Sequence, residues 1–327
     1  MRFLLDRVGG TSPGILIVLI AVLGLVSAVT VHATTRDRVS FNTGARPPAT
    51  VPASAAAAGA ADARAATGGV PSGSPLITAA TPTRMPTPTP AAFAPPEPAI
   101  GPELDAEINA IIQANSAYRL GVALIDVNDG GVHEYGTKTS FMAASTGKIL
   151  AAEAYYHLVE TGQASLGARM GASTAGQQIR QMVQQSNNDS WALVLAAVGQ
   201  RGMTNYAASM GIPYDPTVNA LTPAEMATTL AELYSGRLLN ANNTAELLSY
   251  MQNTNYELLI PAAAPAGVTV FHKYGLLDGN LHDASILVQG ERAFVFVVYT
   301  LGRDTSDMAA RTRVIHELTG AVGARLF

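Results

Sequence analysis

Three patterns of apolar and polar positions follow one another along the 327-residue chain. From Gly14 to Val31 eighteen residues run without a charge, with Arg2 and Arg7 before them and Arg36, Asp37 and Arg38 after. As a helix rising about 1.5 Å per residue, this run spans roughly 27 Å, close to the depth of a membrane's hydrocarbon core. Residues 1–40 are therefore expected to form a cytoplasmic stub and a transmembrane helix; the alternative is a secretory signal cleaved near Ala33. The short basic N-terminus points the rest of the chain to the extracytoplasmic side, tethered to the cell membrane or, after cleavage, secreted.

Residues 41–101 follow a second pattern, mostly Ala, Pro, Thr, Ser and Gly, and hold 12 of the chain's 19 prolines. Few large apolar side chains stand there to offset the entropy of ordering the backbone, so the segment is expected to be a disordered linker. Repeats such as Pro86-Thr87-Pro88-Thr89-Pro90 favour extended polyproline II, which makes a stiff tether.

Residues 102–327 alternate in the manner of a folded domain and are long enough to bury a sizeable core. Helical spacing over Leu104–Ala114 is followed by strand alternation over Tyr118–Asp126, which turns at Asn128-Asp129-Gly130-Gly131 into a second strand near Val132. A series of helices is expected over about 145–161, 175–185, 189–198, 203–210, 223–235 and 243–251. Strand patterns return at 268–274, 284–289 and 293–299, and an amphipathic helix over 306–322 closes the chain. Strands, helices, then strands and a helix imply an α+β domain whose antiparallel sheet is assembled from both ends of the segment, with an all-helical region inserted between.

Charge and composition narrow the function. Twenty-four acidic against 20 basic side chains create no single-sign field that would collect on nucleic acid. With no cysteine there is no disulfide framework, zinc-thiolate site or thiol nucleophile, and His133, His157, His272, His282 and His316 show no metal-ligand spacing. Neither a metal nor another cofactor is expected.

Three short motifs carry candidate chemistry. Ser145-Thr146-Gly147-Lys148 opens an apolar helix, where residues three apart share a face, so a desolvated Lys148 amine can take the proton of the Ser145 hydroxyl. Backbone N–H groups at such a helix start can hold an oxyanion. Ser186-Asn187-Asn188 joins two helices, and Lys273-Tyr274-Gly275 ends an apolar strand. The chain has only three lysines, and two fall in these motifs. Lys273 can supply a fixed charge for a substrate carboxylate and tune Ser186 as a proton relay, while the Asn188 amide can meet a substrate amide. Each motif also has a plain structural reading: a helix cap with a solvated lysine, a cap with turn residues, and a strand end.

In this order, S-x-x-K, S-x-N and K-x-G resemble the active-site set of class A serine β-lactamases and penicillin-binding proteins. The resemblance spans about Pro102 to Phe327. It implies Ser145 as the acylated nucleophile, Lys148 as proton acceptor, Ser186 as relay to the leaving nitrogen, Asn188 as substrate contact and Lys273 as electrostatic partner. Tyr274 and Gly275 would line the substrate, and the backbone N–H groups of Ser145 and Leu276 would form the oxyanion hole. Two positions depart from the family pattern: Asn187 stands where Asp is usual and Tyr274 where Thr or Ser is usual. Asp215-Pro216-Thr217-Val218-Asn219 resembles the family's E-P-x-L-N loop with an acid one methylene shorter, which makes Asp215 the expected hydrolytic base, against the alternative of a turn acid before proline. The implied activity is opening of β-lactam rings through an acyl-enzyme on Ser145. The alternatives are a D,D-peptidase-like enzyme acting on peptidoglycan stem peptides and a non-catalytic cell-surface module that keeps the fold.

Overall fold

The computed structural model describes residues 99–327. The expected membrane segment and nearly all of the linker lie outside the described residues, among which no helix is long and apolar enough to cross a membrane.

The chain opens with helix α1 (Pro102–Ala114), with proline in its first turn where no backbone N–H is needed. Strands β1 (Arg119–Asp126) and β2 (Val132–Gly136) form the expected hairpin, and β3 (Phe141–Met142) leads into a tight 3₁₀ turn over Ala144–Gly147. The helical region comprises α2 (Lys148–Glu160), α3 (Ala175–Gln184) behind the small hairpin β4 (Arg169–Met170) and β5 (Ser173–Thr174), then α4 (Asn188–Val198) and α5 (Gln200–Ser209). Strand β6 (Ala220–Leu221) pairs with β3, and α6 (Pro223–Tyr234), α7 (Ala241–Tyr250) and α8 (Ile260–Ala263) follow. Long strands β7 (Thr269–Leu277), β8 (Asn280–Gln289) and β9 (Arg292–Leu301) then precede the closing helix α9 (Met308–Leu326).

All pairings in the main sheet are antiparallel, in the order β2-β1-β9-β8-β7, so both ends of the domain do meet in one sheet. Side chains alternate between its two faces. Leu120, Val122 and Leu124 of β1 and Phe294, Phe296 and Val298 of β9 pack with Leu104 and Ile108 of α1 and Val314, Ile315 and Leu318 of α9. Ala123, Ile125, Val295, Val297 and Tyr299 face the helical region, with Ile149, Leu150, Ile179 and Leu230. A sheet covered on both faces needs apolar residues at nearly every position, which is what β8 and β9 show.

Two differences from the expected elements shape the site. The helix expected from Ser145 begins only at Lys148, and Ser145 itself lies in the 3₁₀ turn. The strand carrying Lys273 does not end at Gly275: β7 continues to Leu277 and turns into β8 through Asp278 and Gly279, both at positive φ (46° and 79°). Asp-Gly with both residues left-handed matches the two-residue turn that follows the twist of antiparallel strands, and it pins Leu277 opposite Asn280.

Candidate active site

The Ser145 turn is shaped by contacts from three directions. Ala144, just before the serine, has φ 50°, a left-handed conformation that costs a side-chain-bearing residue about 1–2 kcal/mol. Asn219 supports it on both sides: its Nδ2 donates to Ala144 O at 2.9 Å and its carbonyl accepts from Ala143 N at 2.7 Å. Tyr214 OH in turn donates to Asn219 Oδ1 at 2.8 Å. Gly147 is required for this approach, because a Cβ there would stand 2.4 Å from Asn219 Oδ1. From below, Thr146 Oγ1 donates to Ala143 O and accepts from Tyr299 OH, each at 2.6 Å. From the sheet, His282 Nε2 donates to Met142 O at 2.9 Å while its Nδ1 accepts from Thr300 N, and burial holds this imidazole down to about 4, so it is neutral.

Across the turn lies a cluster that joins the other two motifs. Lys148 Nζ donates to Ser186 O and to Asn188 Oδ1, each at 2.7 Å, and lies 3.3 Å from Ser186 Oγ. Lys273 Nζ donates to Ser186 Oγ and to Tyr274 O, each at 3.0 Å. Both lysine side chains are fully buried. Burial lowers the Lys148 amine to about 8, and burial together with the Lys148 charge lowers Lys273 well below the usual lysine range. A Lys148 amine lowered this far loses its proton far more readily than an ordinary lysine, and the neutral form can accept one. Among the described residues no hydrogen bond reaches Ser145 Oγ, and Ser145 is half-buried at the head of the same turn.

Ser186 has φ 53°. Of five side-chain-bearing residues at positive φ among the described residues, Ala144, Ser186 and Asn219 belong to this site, so backbone strain is concentrated where the chemistry is expected. Asn187 serves as the N-cap of α4, its Oδ1 accepting from Ser190 N at 2.8 Å. Asp and Asn cap equally well, which gives the departure at this position a structural role that either residue fills. With Asn188 Oδ1 occupied by Lys148, its Nδ2 is the group left to meet a substrate oxygen.

The K-Y-G strand lies at the edge of the sheet, and its side chains alternate. Lys273 and Gly275 face the Ser145 turn, where a Cβ on Gly275 would stand 3.1 Å from Ala143 O and 3.2 Å from Ala144 Cβ; glycine lets the strand, and with it the backbone of Leu276, come this close without displacing the turn. His272 faces the other way, whereas the Tyr274 ring stays beside the Lys273 amine, its centroid 4.0 Å from Nζ. His272 is buried, bonded to Asp283 at 2.9 Å and to Glu257 at 3.1 Å, and the two carboxylates outweigh burial and raise it to about 9. Asp283 also accepts from Ile260 N, so it orders the loop before α8. Tyr274 leans on the Tyr256 ring at 5.0 Å, and its hydroxyl donates to Asn255 Oδ1 at 3.1 Å.

Asp215, the expected hydrolytic base, stands on the loop before β6. It is exposed, and its Oδ1 accepts from the Thr217 N–H at 2.8 Å and the Thr217 hydroxyl at 2.6 Å, bonds that hold its carboxyl below the usual carboxylate range. Among the described residues it makes no hydrogen bond to Ser145, Lys148, Ser186 or Lys273. The loop residue that touches the serine turn is Asn219, which sequence reasoning quoted within the D-P-T-V-N motif without giving it a role. His282, Tyr299 and Asn255 carried no sequence signal, since each acts across 70 residues or more or through the sheet.

The comparisons agree with this geometry. The sequence profile of the β-lactamase enzyme family matches residues 103–325. β-Lactamase CTX-M-8 of Citrobacter amalonaticus is 27% identical over 229 residues, covering 58% of this chain and 78% of that protein. Among solved structures, a β-lactamase from Xanthomonas campestris superposes with a TM-score of 0.62 at 20% identity, covering 69% of this chain and 98% of that one. PBP-A superposes equally well at 18% identity, covering 68% and 95%. With the Lys148–Ser186–Lys273 cluster beside the serine turn and the profile spanning the folded part, the chain belongs to the β-lactamase enzyme family and is a β-lactamase-like hydrolase.

Proposed function

We propose that the domain opens β-lactam rings through an acyl-enzyme on Ser145. The observation that carries this reading is the buried Lys148–Ser186–Lys273–Asn188 cluster, with an amine lowered to about 8 beside the serine turn. Lys148 takes the proton as Ser145 Oγ bonds to the lactam carbonyl, and the oxyanion sits on the backbone N–H groups of Ser145 and Leu276. The ring C–N bond breaks as the nitrogen takes the Ser186 hydroxyl proton, and Lys148 passes the proton it took from Ser145 on to Ser186 Oγ, which lies between the two lysines. Lys273 also faces the substrate carboxylate, and Asn188 Nδ2 the side-chain carbonyl. No metal or cofactor enters these steps.

A second reading rests on Asp215. A carboxylate turned to Thr217 in open solvent is not placed to activate water at Ser145, so release of the acyl group is slow, as in a D,D-peptidase-like enzyme inhibited by β-lactams. A mutant of the structural neighbour PBP-A is described as an acyl-enzyme complex with penicillin G. Labelling with a fluorescent penicillin tests the common core: a label lost in Ser145→Ala supports it, and absence of both label and turnover in the wild type leaves only a non-catalytic module. Placement outside the cell, tethered through Gly14–Val31, belongs to the proposal on sequence grounds; retention in membranes after a high-salt wash supports the tether, and a soluble form beginning at Thr34 supports a cleaved signal.

A further inference from the structure

The segment Thr254–Glu257, between α7 and α8, belongs to none of the three motifs, yet it touches the chain next to two of them. Asn255 N donates to Gln184 O at 3.1 Å and Asn255 Nδ2 donates to Gln185 O at 3.0 Å, so one residue holds two successive carbonyls at the end of α3. The next residue is Ser186, held at φ 53° and bonded to both lysines. On its other side Asn255 Oδ1 accepts from Tyr274 OH, and Tyr274 directly follows Lys273. Its neighbour Thr254 is fixed from the buried side by His272 Nε2 at 3.0 Å, and His272 directly precedes Lys273. Gln184 Nε2 adds a parallel tie to Gln252 O at 3.0 Å.

We propose that Asn255 is a positioning residue of this active site: its side-chain amide joins the Gln185 carbonyl to the Tyr274 hydroxyl and so sets Ser186 against Lys148 and Lys273. The inference deepens the proposed acylation at Ser145 and rests on it for its catalytic consequence. It also gives Tyr274 a use. A phenol hydrogen committed to Asn255 is not available to a substrate carboxylate, so the tyrosine at this position secures the strand to the Ser186 connection, and Lys273 meets the carboxylate without it. The exchange of a short hydroxyl side chain for tyrosine is thereby matched by an acceptor 19 residues upstream.

The chain's lysine count makes the test direct, because Lys138, Lys148 and Lys273 are the only three. In protein labelled with ¹⁵N-lysine, pH titration by NMR reports the cluster without any substrate, with exposed Lys138 as the internal reference. The groups facing Lys148 are Ser186, Asn188, the Trp191 ring at 5.2 Å and the Lys273 charge. In Asn255→Ala the Ser186 connection loosens and admits water, so the Lys148 midpoint rises by about half a pH unit toward ordinary lysine while Lys138 stays in place. Acylation by a fluorescent penicillin slows about five-fold. Tyr274→Phe gives a smaller change in the same direction, and adding it to Asn255→Ala costs nothing further, because both remove one link. Asn255→Asp keeps the acceptor for Tyr274 and loses the donor to Gln185 O, and falls between. A Lys148 titration in Asn255→Ala that overlays the wild type overturns the proposal, whatever happens to thermal stability, and so do losses that add in the double variant. A wild-type protein that no penicillin labels sinks the acylation reading, while the lysine titration still decides the role of Asn255.

Discussion

The two sides of the site are built to different standards. On the acylation side, two fully buried lysines converge on one serine hydroxyl, Ala144 and Ser186 adopt left-handed backbone, and the supports reach back into the sheet through Tyr299 and His282. On the loop side, Asp215 stands in solvent and spends its carboxylate on a local turn. The loop's contact with the serine turn is Asn219, which grips Ala143 and Ala144. The contrast teaches that forming the acyl-enzyme and discharging it are separable demands: a buried, strained and cross-linked cluster serves the first, and only a carboxylate held over the ester would serve the second.

The largest break in this comparison is Ser145→Ala, which removes the nucleophile and abolishes covalent labelling by any β-lactam. Next is Lys148→Ala, expected to slow labelling by about 10²–10⁴-fold, the usual worth of a positioned proton acceptor. A variant that labels at the wild-type rate would take the buried amine out of the mechanism. Asn219→Ala removes the bonds to Ala144 and Tyr214 and leaves polar groups unpaired beside the turn, a loss of about 1–3 kcal/mol of stability readable by urea unfolding, together with slower labelling. The pH dependence is gentler. Burial penalises the charged amine, so Lys148 is protonated below its midpoint and neutral above it, and labelling rises through about pH 8 and then levels. Labelling that falls over this range would contradict a neutral Lys148. The smallest effect is expected from Asp215→Asn: release of the acyl group changes by less than about two-fold, since the carboxylate serves Thr217. A tenfold slower release would erase the difference between the two sides.

Much of the fold was legible because its signals are local. Pro223 in the first turn of α6, with Thr222 and Glu225 exchanging side-chain and backbone bonds, marks that helix start unambiguously, and the residues capped by Thr174 and Asn187 begin α3 and α4 where periodicity puts them. The extension of β7 to Leu277 was written in Asp278-Gly279, a hairpin signal that apolar alternation alone overlooks. The three motifs were legible for the same reason, each being a short spacing with its own chemistry. What joins them was not. Lys148 reaches Ser186 across 38 residues, Asn219 reaches Ala144 across 75 and Asn255 reaches Gln185 across 70. Such contacts depend on how helices and sheet dock, and no window of sequence contains both partners. Asp215 shows the reverse: a motif-like spacing drew attention to the acid, while the local preference of Asp before proline to close a turn decided where its oxygens went.

The central claim is that the Lys148 cluster drives acylation of Ser145. Intact-mass spectrometry of the wild type after a short pulse of penicillin G, followed over hours beside Ser145→Ala, tests it most directly. The account predicts rapid gain of one whole penicillin mass in the wild type alone, with slow return to the unmodified mass. An unmodified wild-type mass at every time with the antibiotic intact, or the same adduct on Ser145→Ala, would contradict it.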